Sequence, residues 1–428
     1  MPQFQGLLGV LAILGLGYAL STRRSAVRWR VVGAGVALQV VIAFLMLRWA
    51  PSVVVFEGLA AGVSKVISFA DAGVEFLFGP KVADPTGPWG FIFAVKVLPI
   101  IIFFASLMAV LYHLGVMQRV VAVVAWGLRR GMGITGKEAL SAAANIFLGQ
   151  TEAPLTVRPY IPTMTRSQLM AVMTGGFATI AGSVLAAYVG VLGGNDPETR
   201  TLFARHLLTA SVMSAPAGLV MAKLMLPETE EPAPEELRSL VSERPATRNV
   251  MDAAASGATD GLQLALNVAA MLVAFVALIA MVNWPLTALG DVPAVRAWRE
   301  ARGVPPLTLQ NLLGYVLTPM AWLMGVRGED CRPFGGLLGT QVIATEFVAY
   351  LDLGRLKESG GLSARSAQIA TYALCGFANL PSIAIQIGGL SAMAPSRRSD
   401  LATIAPRAMV AGALACWMTG AVAGVFIR

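Results

Sequence analysis

The stretch Met132-Gly-Ile-Thr-Gly-Lys-Glu-Ala139 returns as Met324-Gly-Val-Arg-Gly-Glu-Asp-Cys331, an offset of 192 residues, and the sequence beyond each copy also matches. Thr151-Glu152 is answered by Thr345-Glu346 at an offset of 194, and Gly176-Phe-Ala-Thr179 by Gly376-Phe-Ala-Asn379 at an offset of 200. Landmarks that recur in one order imply a duplicated unit. In a strongly apolar chain, duplication points first to a transporter, because paired repeats let one site open alternately to either side.

Composition supports the membrane setting. Of 428 residues, 56% are hydrophobic and 13% charged, and the mean hydropathy is +0.69, outside the soluble range. Met1 to Tyr18 contains no basic residue, whereas Arg23, Arg24, Arg28 and Arg30 follow it. A signal peptide has the reverse order, so the segment reads as a first span with a cytoplasmic C-terminal end. Cys331, Cys375 and Cys416 are too few and too scattered for a disulfide framework or a zinc site. The +8 net charge comes from Lys and Arg beside apolar spans, which favours cytoplasmic loops over nucleic acid.

The expected fold is an all-α integral membrane protein with about eight transmembrane helices, at 4–21, 31–48, 91–113, 166–192, 201–225, 260–288, 365–391 and 402–426. Residues 54–79, with Glu57, Lys65, Asp71 and Glu75 spaced through them, suit an amphipathic helix at the interface. Residues 227–252, rich in Glu including Glu235 and Glu236, read as a solvated loop. Two segments are too broken to span. Asn145 to Pro162 is interrupted by Gly149-Gln-Thr-Glu-Ala-Pro154, and Phe334 to Leu356 carries Thr345-Glu346 at its centre. Arms of about a dozen residues reach ~18 Å into a ~30 Å hydrocarbon core, so both segments read as re-entrant hairpins.

Counting from a basic first loop puts both termini outside, in a multi-pass protein of the plasma membrane (the bacterial inner membrane). The first hairpin then enters from the cytoplasm and the second from outside, an inverted repeat whose tips approach near the midplane. The span after each hairpin is itself interrupted, by Gly175-Gly176 and by Gly376 with Pro381. Interruption frees backbone groups at membrane depth, and such groups need a ligand, an ion or protein partners.

At these residues the chain closely resembles the concentrative nucleoside transporter family. The resemblance rests on Asn145-Ile-Phe-Leu-Gly-Gln-Thr-Glu-Ala-Pro154, Gly175-Gly-Phe-Ala-Thr-Ile-Ala-Gly-Ser183, Gly261-Leu-Gln-Leu-Ala-Leu-Asn267, Glu346-Phe-Val-Ala-Tyr350 and Cys375-Gly-Phe-Ala-Asn379 with Ser382. It implies a homotrimer with a central scaffold and a mobile transport domain in each protomer, taking up nucleosides with a cation. Boundaries follow: peripheral helices at 1–50, scaffold at 51–115, first transport repeat at 116–225, cytoplasmic loop and sixth span at 226–290, second transport repeat at 291–428.

Residue chemistry agrees with the substrate the resemblance implies. A carboxylate accepts two hydrogen bonds at once, so Glu346 suits a ribose diol, with Asn379 and Ser382 completing the sugar contacts. Gln150 and Thr151 offer amide and hydroxyl groups to a base edge, Glu152 accepts from its N–H, and Phe377 offers an apolar ring. Carboxylates mid-membrane cost at least ~2.5 kcal/mol, which argues that Glu152 and Glu346 serve function. His113 and His206, the only histidines, sit near span ends and read as structural.

For the driving ion, the resemblance implies sodium held by Asn145 and Thr179 side chains with carbonyls of Leu148, Thr179 and Ile180. One cation falling through ~100 mV and a tenfold gradient contributes ~3.7 kcal/mol, enough to concentrate substrate ~500-fold. The expected function is a sodium-driven nucleoside symporter moving by rigid-body alternating access; the alternative is a proton-coupled nucleoside symporter in which Glu152 titrates. No nucleophile and base pair supports an enzyme, and a passive channel needs no cation site beside a substrate site. Two departures from the family pattern stand out. Thr345 occupies a position where Asn is common, and Pro381 replaces a small polar residue, with consequences for the hairpin tip and for base preference.

Overall fold

The computed structural model describes residues 2–83, 92–194, 196–233 and 247–427, and within them every regular element is helical. Residue 91 of the third expected span and Glu235 and Glu236 of the acidic loop lie outside the described residues. Seven helices among the described residues are long and apolar enough to cross a membrane, and Phe4–Ala19 and Leu380–Met393 are shorter apolar helices.

The duplicated sequence folds as a duplicated set of elements. In the first copy an amphipathic helix, Val116–Met132, leads into the pair Gly136–Asn145 and Ala153–Thr163, then the interrupted helix Arg166–Ala178 and Gly182–Gly193, then the long helix Pro197–Met225. The second copy repeats the order: Leu309–Leu323, the pair Cys331–Ile343 and Glu346–Glu358, the interrupted Ala364–Ala373 and Leu380–Met393, and Arg398–Phe426. Neither leading helix is a long apolar run: Val116–Met132 has 17 residues and carries Arg119, Arg129 and Arg130, and Leu309–Leu323 has only 15 residues. Gly115 and Gly133, at φ +75° and +69°, bracket the first of them in the left-handed turns that glycine adopts without strain.

The two ends of each pair of arms are bonded together. Gln168 Nε2 donates to Thr135 Oγ1 at 3.2 Å, joining the two ends of the first. Ser363 Oγ donates to Asp330 at 2.6 Å and closes the second. Their arms, of 10 and 11 residues and of 13 and 13, are too short for a bilayer crossing. The arm Ala153–Thr163 winds as a 3-10 helix rather than an α-helix, since Pro154, Pro159 and Pro162 withhold N–H donors from it. Thr135 starts the first arm and Thr165 the helix after the hairpin, with capping boxes to Glu138 and Gln168, and Thr345 Oγ1 accepts from Val348 N at 3.2 Å to start the last arm. A threonine there caps as an asparagine would. Pro381 falls in the first turn of Leu380–Met393, where a missing N–H costs no helical bond.

The segment expected at 54–79 is the 29-residue helix Ala50–Phe78, whose length and apolar content would also suffice for a crossing. Its ion pairs show how it lies. Glu57 meets Arg205 and Asp71 meets Arg200. Points about 21 Å apart on this helix therefore meet points about 7.5 Å apart on Pro197–Met225, at 1.5 Å per residue, so it crosses that helix obliquely near its N-terminal end. Elsewhere, Leu98–His113 and Val250–Gly290 pack tightly: a Cβ on Gly257 would lie 2.5 Å from Ala109 Cβ, and one on Gly261 2.8 Å from Ala105 Cβ. In the apolar window of Val250–Gly290 only 6% of residues are buried, against 94% for Arg166–Gly193, so the motif-bearing helices form the interior.

Candidate functional site

The two interruptions meet in the middle of the repeats. Thr179, the first residue after Arg166–Ala178, is extended, and its carbonyl accepts from Phe377 N at 3.3 Å in the break of the second interrupted helix. Close approach requires small residues: a Cβ on Gly376 would meet Phe177 O at 2.6 Å, and one on Gly412 would meet Phe177 Cβ at 2.4 Å.

Around this crossing the expected residues form a connected polar chain. Glu346, 4% exposed, starts the second arm of its hairpin and accepts from Tyr188 Oη at 3.0 Å and Asn379 Nδ2 at 2.6 Å. Asn379 Oδ1 accepts from Ser382 N at 2.9 Å, capping Leu380–Met393, so both ends of its amide are committed. Ser382 Oγ accepts from Gln150 Nε2 at 3.2 Å, and Gln150 Oε1 accepts from Gln386 Nε2 at 3.2 Å. Hairpin two, the second interrupted helix and the tip of hairpin one are thus linked side chain to side chain.

Thr151 is half-buried at the same tip, and a Cβ on Gly389 would lie 3.0 Å from its methyl group. Glu152 is exposed and accepts from the Gly149 N–H of its own turn at 3.1 Å, making no bond to the Glu346 chain. Phe377 is half-buried beside the break. Sequence reasoning missed Tyr188 and Gln386. The only signal for either was a polar side chain within an apolar span, a group that burial makes costly without a partner.

The oxygen set expected for sodium is also present. Asn145 is fully buried; its Nδ2 donates to Ser141 O at 3.0 Å, while its Oδ1 has no partner among the described residues. Thr179 Oγ1 donates to Gly175 O at 2.8 Å and keeps lone pairs free. The carbonyls of Leu148 and Ile180 lie outside helices and accept no hydrogen bond among the described residues. An orphaned amide oxygen with free carbonyls and a hydroxyl suits a hard monovalent cation, since no group of three or more His, Cys, Asp or Glu is gathered among the described residues. The two histidines hold structural bonds: His113 to Thr247 at 2.7 Å, and buried His206 to Tyr372 Oη at 2.8 Å.

Comparison with known proteins bears on the same regions. The family model described as Na+ dependent nucleoside transporter C-terminus matches residues 206–424, its N-terminal counterpart matches 8–81, and one described as nucleoside recognition matches 94–195. An uncharacterized transporter of Haemophilus influenzae is 46% identical across 100% of this chain and 98% of its own length. Sodium/nucleoside cotransporter 1 of Mus musculus is 40% identical over 97% of this chain, which spans 63% of that longer protein. A solved structure of CNTnw in an inward-facing substrate-bound state superposes with a TM-score of 0.89 at 42% identity, covering 100% of this chain and 98% of the other. With motif, fold and full-length similarity in agreement, the chain belongs to the concentrative nucleoside transporter family, two of its three matching family models being described as Na+ dependent.

Proposed function

We propose that this protein is a secondary active symporter that imports nucleosides on a sodium gradient. The observation that carries the reading is the bonded chain from Glu346 through Asn379 and Ser382 to Gln150, which joins a buried carboxylate, amides and a hydroxyl in one network. Glu346 receives the ribose diol, Asn379 and Ser382 flank the sugar, Gln150, Thr151 and Glu152 face the base, and Phe377 packs against its ring. Sodium occupies Asn145 Oδ1, Thr179 and the carbonyls of Leu148 and Ile180. Asn145 favours sodium over a proton, because its orphaned Oδ1 is an amide oxygen that does not titrate.

Both hairpins act as half-way re-entrant loops. With the interrupted helices, from 116–225 and 291–428, they move as one body against a scaffold of Ala50–Phe78, Leu98–His113 and Val250–Gly290 in a homotrimer. The N- and C-termini face outward from a plasma membrane. Counterflow of radiolabelled uridine in proteoliposomes, with sodium and pH varied independently, tests substrate class and coupling together. Sodium-dependent exchange at constant pH is expected; exchange that follows pH alone would move the coupling to a proton, and no exchange would remove the nucleoside.

A further inference from the structure

We propose that Gln386 is a positioning residue that orients Gln150 as a hydrogen-bond donor, so that the site selects nucleosides whose base presents a carbonyl. The inference rests on the nucleoside reading above. Gln386 lies one helical turn beyond Ser382 on the same face of Leu380–Met393 and is 1% exposed. Its Nε2 donates to the backbone carbonyl of Met173 at 3.1 Å and to Gln150 Oε1 at 3.2 Å.

A backbone carbonyl only accepts, so it fixes which end of the Gln386 amide faces it. Both N–H bonds of Gln386 are then spent, one of them on Gln150 Oε1. The Gln150 amide cannot flip without setting donor against donor. Its Nε2 is directed to Ser382 Oγ with one N–H left over, and the Ser382 hydroxyl, having accepted, keeps its own hydrogen to donate. Gln386 Oε1 is buried without a partner among the described residues, yet the reverse orientation would oppose oxygens at both Met173 and Gln150. Gly176 makes the approach possible: a Cβ there would lie 2.7 Å from Gln386 Nε2 and 3.0 Å from Gln150 Cβ. Polarity therefore runs from Met173 through Gln386 and Gln150 into the base side of the site.

The test measures binding of uridine, 4-thiouridine and 2-thiouridine, in which sulfur, a much weaker acceptor, replaces the C4 or the C2 oxygen while the N3–H stays in place. In the intact transporter at saturating sodium, one analogue should bind about tenfold more weakly than uridine, the loss of one hydrogen bond. In Gln386→Leu that penalty should shrink to about twofold or less, because the freed Gln150 amide presents either end. Gln386→Glu keeps the shape and removes the amide donor, so it should shrink the penalty too, and it stands as the second variant should the leucine protein not fold. A merely structural role for Gln386 would weaken all three ligands alike. An unchanged ratio in a folded variant, or no penalty in the wild-type protein, overturns the proposal. Wild-type protein that binds none of the three overturns the nucleoside reading beneath it.

Discussion

Replacing Glu346 by Gln should weaken nucleoside binding steeply without disturbing the fold, and the network shows why. A carboxylate has about four lone-pair positions, of which Tyr188 and Asn379 occupy one on each oxygen, leaving two for a ligand diol. In Glu346→Gln the amide oxygen must face Asn379, since Asn379 Oδ1 is committed to Ser382 N and its Nδ2 only donates. The new NH2 then faces Tyr188, whose hydroxyl turns to accept. Both protein contacts survive, while free acceptor positions fall from two to one and the charge is lost. One missing charge-assisted bond is worth ~1.5–3 kcal/mol and the neutralised survivor ~0.5–1, which together weaken binding by roughly 30- to 700-fold. Calorimetric titration of the purified variant with uridine at saturating sodium reads the affinity, and thermal unfolding checks the fold. A folded variant binding within about threefold of wild type would refute the diol assignment.

Other perturbations follow from the same contacts. Asn145→Ala deletes the orphaned Oδ1, so the sodium concentration for half-maximal uptake should rise about tenfold, the scale of one lost ligand of ~1.4 kcal/mol, with thermal stability little changed; unchanged sodium dependence would count against the site. Gly176→Ala drives a Cβ into Gln386 and Gln150 and should weaken uridine binding more than it lowers Tm, whereas Gly412→Ala, aimed at Phe177, should lower Tm sharply. Lys223, paired with buried Glu138 and with Glu228, ties the first hairpin to Pro197–Met225; Lys223→Met should cost about 3 kcal/mol, and adding Glu138→Gln should restore part of it in the same melting assay.

How far the sequence could be read depended on how local each signal was. The repeat, the short-armed hairpins and the interrupted helices were legible because periodicity and Gly or Pro placement act over a few residues. Val116–Met132 was not, because its amphipathic pattern lacks the long apolar run by which spans are found. Ala153–Thr163 was read as an ordinary arm, and its 3-10 winding depends on three prolines acting together. Glu346, Asn379 and Gln150 were singled out by residue chemistry and resemblance, and the fold brings them into one hydrogen-bonded chain with Ser382. Tyr188 and Gln386 were not, because their partners lie 158 and 236 residues away and only the fold brings them together. Thr345 and Pro381, departures on paper, sit where a cap and a first-turn proline are accommodated.

Interruption of the helices is itself a condition for coupling the proposed cation and sugar subsites. In a continuous helix the Thr179 carbonyl would be satisfied four residues onward, at Ser183 N, and would face no other segment. Because the helix breaks there, that carbonyl instead accepts from Phe377 N. Phe377 lies two residues before Asn379, whose amide holds Glu346 with one end and caps the following helix with the other. Asn145 lies against the turn just before the same break, since a Cβ on Gly175 would lie 3.1 Å from its Nδ2. A cation drawn to the Thr179 oxygens would therefore fix the segment that orients the sugar acceptors, without a conformational change in either long helix. Linkage then demands reciprocity: if sodium tightens uridine by ~1–3 kcal/mol, uridine must tighten sodium by the same amount. A symporter needs that, because a cation bound as firmly alone as with substrate would leak its gradient.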